Sequence, residues 1–400
     1  MSHTDQTSLP EAARGQHEPA RRHALRRLSG AAAACALPWT VARAAERGIA
    51  ARELVVGQNI TLQAGKNEYG RVVSDGIRLV IDAVNAAGGV FNRRVTIRTL
   101  DDDNKSTQAE ANAQRLVDEG CFVLFGSVEG GPSTAVAKVA SEAKVPFFGP
   151  MAGSPTLRRP YLEMVFPVRA EHRDEFRALM EHGHSHGGKS VAFFHSDSEV
   201  GRQHLVNVRT LADQLGLKVS APLPFKSDPS DADIDAMAQA VARAGADMIF
   251  NHGSIGPYGR LLRRLKHERL HTAQMAVNSG SSQLAKSLGE LAHGMVFAQV
   301  VPSPWERKSA ITREYQEAAR RADPNAEFSY GALEGFLTAK ALVLALRAAG
   351  PQPTRAGLVT ALHGSSFDLG GVKVQWRPGD HEGSRFVDLA MYSREGRFIQ

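Results

Sequence analysis

Residues 122–160 read FVLFGSVEGGPSTAVAKVASEAKVPFFGPMAGSPTLRRP: a buried strand, a glycine-rich turn, a helix, a second buried strand and another Gly/Ser/Pro turn. Apolar β-rich runs on either side of a helical run make a βαβ unit, and its parallel sheet sets both turns at the carboxyl edge, where ligands bind in open α/β sheets. The first turn, Gly126-Ser127-Val128-Glu129-Gly130-Gly131-Pro132, runs into a helix N-terminus that offers backbone N–H groups and a positive dipole end to an anion. Neither turn contains an obvious pair of nucleophile and base. Holding a small solute is therefore expected before transforming one.

The same alternation extends in both directions, with strands predicted at 54–60, 94–100, 122–125 and 145–148, then at 189–195, 217–221, 246–250, 273–277 and 294–300. Helical runs fall between them, as in parallel sheets covered on both faces. The helix at 70–87 places Val73, Ile77, Val80, Ile81 and Val84 on one face, and Gly88-Gly89 stops it. Prolines and the lack of a helical period mark 150–170 as a crossover between lobes. Helices at 307–322 and 329–349 belong to the first lobe's outer layer, and the last thirty-five residues turn β-rich.

Four hundred residues exceed what one core usually covers, so two domains are expected. The formal charge of +6 is concentrated early: residues 1–44 hold six arginines and three acids, and the remainder carries 42 basic and 39 acidic residues. That balance gives no electrostatic case for nucleic acid. Arg21-Arg22 and Arg26-Arg27 precede an apolar run from Leu28 to Leu37, and Ala42-Arg43-Ala44 supplies the small residues of a cleavage site. An export signal cut near Ala44 is expected, and Arg21-Arg22-His23-Ala24-Leu25-Arg26 resembles a twin-arginine signal. A lipoprotein reading of Cys35 ranks second because leucine is missing three positions before it. Cys121, at the start of a buried strand, is expected to act as a small hydrophobe, with no disulfide. No apolar stretch after residue 44 reaches membrane-spanning length.

From Leu54 onward the chain resembles type I periplasmic solute-binding proteins, in particular the branched-chain amino acid-binding group of ABC importers. The markers are Gly65, Tyr69-Gly70, Asn85-Ala86-Ala87-Gly88-Gly89, Asp101-Asp102, Val145-Pro146, Asp197-Ser198-Glu199-Val200-Gly201 and Tyr330-Gly331-Ala332-Leu333-Glu334-Gly335. Gln299 to Pro304 and Pro378 to Arg385 resemble one branch of that group. The resemblance implies an α/β fold of two doubly wound parallel-sheet lobes joined by a three-segment hinge: 52–169 plus 302–362 as lobe one, 170–301 plus 363–400 as lobe two. It also implies a periplasmic location, delivery to an ABC permease in the inner membrane, and a monomer without cofactor or metal.

Family members grip an α-amino acid by its carboxylate in lobe one and its ammonium in lobe two. On that pattern Tyr69 stands over the ligand, Ser127, Val128, Glu129, Gly130, Gly131 and Ser133 form the first cradle, and Ala152, Gly153 and Ser154 the second. Glycine at 153 replaces a hydroxyl residue common in the family. Lobe two departs further, with Ser254 or Ile255 in place of a tyrosine and Asn278-Ser279-Gly280 in place of an acid. A buried ammonium needs a countercharge. The expected ligand is therefore a carboxylate without an α-ammonium, met by His195, Ser254, Asn278 and Ser279, while Glu129 or Asp197 keeps an amino acid open. Tight turning alone accounts for the glycines in the bland alternative. For Asp197 a helix cap is the stronger alternative, and Tyr330, which the resemblance makes part of the cleft wall, has ordinary helix packing as its default.

Other conspicuous clusters carry less. His182, His184 and His186 are expected in a solvated connection, and Asp101 to Asn104 as caps of the following helix. Arg260, Arg263, Arg264, Lys266 and Arg269 form an exposed helix face beside Leu261, Leu262 and Leu265. An enzyme is the main competing class, but no nucleophile elbow, phosphate loop, zinc helix or dinucleotide fingerprint sits between a strand and a helix. A sensing module of the same fold would require a fused signalling or DNA-binding element, and neither is read here.

Overall fold

The computed structural model describes residues 46–400 except 227, 253, 254 and 279. The expected export signal, Cys35, Ser254 and Ser279 lie outside the described residues.

The first sheet is parallel throughout, in the order β2-β1-β3-β4-β5. Its strands are β1 (Glu53–Ile60), β2 (Arg94–Asp101), β3 (Val123–Phe125), β4 (Phe147–Phe148) and β5 (Val165–Phe166). All of β1 after Glu53 is buried, as a central strand with both faces covered must be. β5 falls in the stretch read as a crossover: its two residues are too few to show alternation, yet it completes the sheet by pairing with β4. The connecting helices are α1 (Glu68–Ala86), α2 (Ser106–Asp118) and α3 (Gly130–Ala143).

The second sheet runs β15-β14-β10-β9-β8-β6-β7. It contains β6 (Ser190–Ser196), β7 (Lys218–Phe225), β8 (Met248–Asn251), β9 (Ala273–Ala276) and β10 (Val296–Gln299), all parallel. β14 (Asp388–Tyr392) and β15 (Phe398–Ile399) extend its edge antiparallel. Its helices are α4 (His172–Ser185), α5 (Glu199–Leu215), α6 (Asp231–Ala244), α7 (Ile255–His267) and α8 (Ser281–Leu288). Two apolar clusters lie on opposite faces of each sheet. That is the doubly wound arrangement.

After β10 come α9 (Ala310–Ala322), α10 (Tyr330–Ala348) and α11 (Arg355–His363), which pack into the first sheet's core through Tyr315, Leu333 and Leu358. A small antiparallel sheet, β11 (Ser366–Asp368), β12 (Lys373–Arg377) and β13 (Asp380–Gly383), follows. Its Trp376 packs edge-on against Phe148 and donates its indole N–H to the Pro167 carbonyl at 2.7 Å. The chain thus passes between the two large sheets after β5, after β10 and before β14.

Several local expectations change. Asp101 and Asp102 do not cap α2, which has no side-chain cap bond. Asp101 instead accepts the N–H groups of Leu62, Gln63 and Ala64, and Asp102 accepts from Thr61 Oγ1 at 2.6 Å and Asn59 Nδ2 at 2.7 Å, tying the loop after β1 to the end of β2. Ser198, not Asp197, caps α5. His182 and His184 lie in the last turn of α4 rather than in a connection, because the helical pattern runs through Gly183 to the αL-permissive Gly187.

Candidate functional site

In each sheet the strand order reverses beside the first strand of its half: between β1 and β3, and between β6 and β8. Such switch points open a crevice at the carboxyl ends. The turns that leave these ends meet one another. A Cβ at Gly130 would lie 3.7 Å from Ser154 Cβ and 3.8 Å from Val200 Cγ1, so both predicted cradles and the start of α5 converge.

At the first cradle Glu129 holds φ +64, a conformation unusual for a residue with a side chain. It is the N-cap of α3 but makes no side-chain cap bond, which leaves the first-turn N–H groups of Gly130 and Gly131 to an outside acceptor. The hydroxyls are used locally: Ser133 Oγ donates to Ser127 Oγ at 3.1 Å and lies 3.3 Å from the Val128 carbonyl. At the second cradle, Ala152 and Ser154 are buried, Ser154 Oγ bonds Thr156 Oγ1 at 2.7 Å, and the Gly153 carbonyl accepts the N–H of His172 at 3.0 Å.

Between the halves lies a buried ionic knot that the sequence reading did not anticipate. Arg169 donates to Glu175 and stands 3.7 Å from Glu334, with all three side chains shielded from solvent. Glu334 Oε2 accepts from Tyr69 at 2.7 Å and from Asn278 Nδ2 at 2.9 Å, while the Asn278 N–H reaches Glu175 Oε2 at 2.8 Å. Burial alone would raise Glu175, but Arg169 and then His172 outweigh it and hold its carboxyl below the ordinary value. Glu334 goes the other way, pushed up by burial that Arg169 offsets only in part. One guanidinium thus serves two carboxylates unequally. Arg169 Nη1 and Glu334 Oε1 face each other at 3.7 Å, an ion pair too long for a hydrogen bond, and neither makes a hydrogen bond elsewhere, although buried groups of this kind ordinarily do.

Beside the knot, at the second sheet's switch point, His172, His204 and His252 cluster around Phe176, with His172 and His204 ring centroids 5.2 Å apart and His204 and His252 3.9 Å apart. His195, buried on β6, bonds the Ser196 carbonyl through Nδ1 at 3.0 Å and has an unpartnered Nε2. Burial holds His204 and His252 well below the ordinary imidazole value, and the neighbouring imidazoles add to the effect.

Of the residues singled out in the sequence, Tyr69 and Asn278 enter the knot and Ser127 to Ser154 form the adjoining turns. Asp197 is half-exposed and paired with Arg202 at 3.2 Å, and the Tyr330 ring packs against Trp305 and Phe398. Arg169, Glu175 and Glu334 were missed. Arg169 and Glu175 flank the end of the presumed crossover, and Glu334 stood inside a family marker, where a lone acid in an apolar helix was the available signal.

A family model described as periplasmic binding protein matches residues 53–397. The Leu/Ile/Val-binding protein homolog 3 of Brucella melitensis is 25% identical over 234 residues, a stretch covering 57% of this chain and 62% of that relative's length. Among solved structures, a possible leucine/isoleucine/valine-binding protein from Rhodopirellula baltica superposes with a TM-score of 0.79 at 24% identity, covering 88% of this chain and 97% of its own. A fatty acid ABC transporter substrate-binding protein from Thermomonospora curvata reaches the same TM-score at 18% identity over 89% of this chain and 93% of its own. Both show the α/β fold of two parallel-sheet cores.

Proposed function

The chain belongs to the periplasmic binding protein family, and from that premise we propose that it captures a small carboxylate-bearing solute between two lobes outside the cytoplasm and delivers it, chemically unchanged, to an ABC importer. The expected lobe boundary at 362/363 moves toward the C-terminus, because Leu369, Val374 and Trp376 pack into the first sheet's core: lobe one is 52–169 plus 302–383 and lobe two 170–301 plus 388–400, with the solute at the ends of their sheets. The observation that carries this reading is the meeting of the two glycine-rich turns at Gly130 and Ser154, where Glu129 makes no side-chain cap bond at the start of α3, beside a knot tied to the second turn through His172. Backbone N–H groups at a helix N-terminus are donors suited to a carboxylate.

Two solute subclasses fit this cleft. An organic acid without an ammonium agrees with the lack of an acid after β9, and a structure of this fold is described as a fatty acid carrier. An α-amino acid would take its countercharge from Glu334, on α10 instead of in the second half, whose Oε1 faces Arg169 Nη1 at 3.7 Å without a hydrogen bond. Calorimetric titration with leucine and valine, and with 4-methylpentanoate and 3-methylbutanoate, which lack the amino group, tests both. Binding in one series with unchanged recovery of the solute supports capture and identifies the subclass. Failure of both series, or recovery of an altered solute, overturns the reading.

A further inference from the structure

Three imidazoles from separate elements meet where β6 and β8 diverge: His172 opens α4, His204 lies on α5 and His252 follows β8. One nitrogen from each falls within 4.8 Å of the other two. Both ring nitrogens of His204 and Nδ1 of His252 are buried without a hydrogen-bond partner. A buried polar atom left without a partner is costly. A neutral imidazole carries one N–H and one lone pair, so His204 leaves at least one buried lone pair unmet beside His252 Nδ1, and a cation between the rings would take it.

His172 is the exception that orients the group. Its Nδ1 lies 2.9 Å from Glu175 Oε1, and a neutral ring facing a carboxylate carries its proton on that nitrogen. Nε2 is left with a lone pair, which is the carboxylate–histidine arrangement found behind metal-bound imidazoles. Room for this ring is built into the sequence: a Cβ at residue 153 would lie 2.7 Å from His172 Cγ. The glycine that departs from the family pattern is what His172 requires.

We propose that His172, His204 and His252 form a site for a divalent metal of the zinc class, with Glu175 as the outer partner of His172. Imidazole nitrogens select zinc, copper and nickel over calcium and magnesium. Nitrogens on a tetrahedral zinc at about 2.0–2.1 Å sit roughly 3.3 Å apart, which small side-chain rotations reach from here. Three ligands leave a fourth position for water or a donor atom of a guest. The site does not depend on the solute reading, since it is complete without one.

The test uses untagged protein, stripped with a chelator and titrated with zinc against a chromophoric competitor at pH 7.5 in the absence of solute. One tightly held equivalent is expected, with a raised melting temperature and, for cobalt, the visible absorption of a four-coordinate ion. His204→Gln and His252→Gln should each weaken zinc about 100-fold or more, with circular dichroism reporting on folding. The double variant His182→Ala/His186→Ala, which removes the surface pair, should keep the equivalent. If wild type withholds no zinc and shows no thermal shift, or if uptake is lost with His182 and His186 while both glutamine variants retain it, the metal site is refuted. Solute calorimetry on the same stripped protein reads out capture separately.

Discussion

Gly153 shows how tightly single residues are determined beside the cleft. A serine there would put its Cβ 2.7 Å from both the ring and the backbone nitrogen of His172, whose N–H already bonds the residue's own carbonyl. Backbone cannot rotate away as a side chain can, so Gly153→Ser should destabilise the protein by about 1–3 kcal/mol, the range of core overpacking, measured by urea unfolding. A variant as stable as wild type would show that α4 can shift. Cys121 offers a second reading at this scale. Its thiol is buried against Gly57 and burial pushes it up to about 11. The unfolded thiol titrates near ~8.5. Because the folded value is the higher one, the thiol's contribution is complete below that unfolded value and is lost as pH rises from there toward the folded value, at about 1.4 kcal/mol per unit. The fall in unfolding free energy over that window should be shallower in Cys121→Ala than in wild type. Cys121 should also resist a thiol reagent until denaturant is added. Rapid reaction in the native protein would contradict this burial.

Helices α1 and α10 pass so close that two glycines become obligatory. A Cβ at Gly76 would lie 1.9 Å from the Ala332 carbonyl oxygen, and one at Gly335 2.1 Å from that of Val73. Gly70 and Gly201 perform the same service between a helix start and the preceding strand, meeting Thr61 and Ser196 carbonyls at 2.1 and 1.9 Å. Gly70, Gly201 and Gly335 are among the markers that carry the resemblance, Gly76 is not, and the physical content of all four is close backbone approach. Gly335→Ala should therefore cost about 3 kcal/mol, the upper end of overpacking, while Ala348→Gly, exposed at the end of the same helix, costs at most about 1 kcal/mol through propensity, both measured by chemical denaturation. Equal effects would refute the packing argument. The contrast explains what the sequence discloses. β1, β3 and the faces of α1 and α7 are legible because each repeats one local pattern over several residues. β5 is not, since two residues carry no period, and neither is the knot of Arg169, Glu175 and Glu334. Its members lie up to 165 residues apart and are joined only by the passages of the chain between sheets. The His172, His204 and His252 cluster is hidden for the same reason, whereas the sequence-local His182 to His186 run attracts notice and stays at the surface.

At the scale of the whole molecule the question is how a solute enters. Tyr69, Asn278, Gly280, Ser281 and Gly331 line a narrow pocket of only ≈ 30 Å³ between the halves, room for about two waters and far below the roughly 300 Å³ at which ligand sites begin. Any organic acid therefore requires the halves to part, with the three passages of chain as the flexing elements. Beside the passage after β5 the halves are tied by Arg169 to Glu175 and by the His172 N–H to the Gly153 carbonyl; farther from it, bonds at Lys286 and Asn278 resist that motion. Lys286 reaches Glu68 at 3.0 Å, but its side chain is 66% exposed, and such pairs contribute about 0.2–1 kcal/mol. Asn278 Nδ2 to Glu334 is buried and charge-assisted, worth about 1.5–3 kcal/mol, so it dominates. Asn278→Ala should shift the population toward the open form and raise the radius of gyration in small-angle X-ray scattering without solute, whereas Lys286→Ala should change it little. A saturating solute binds the closed form better and should bring the Asn278→Ala profile back toward the wild type. Scattering that is identical for wild type and Asn278→Ala, with and without bound solute, would mean that the halves do not separate and that entry by hinge opening is wrong.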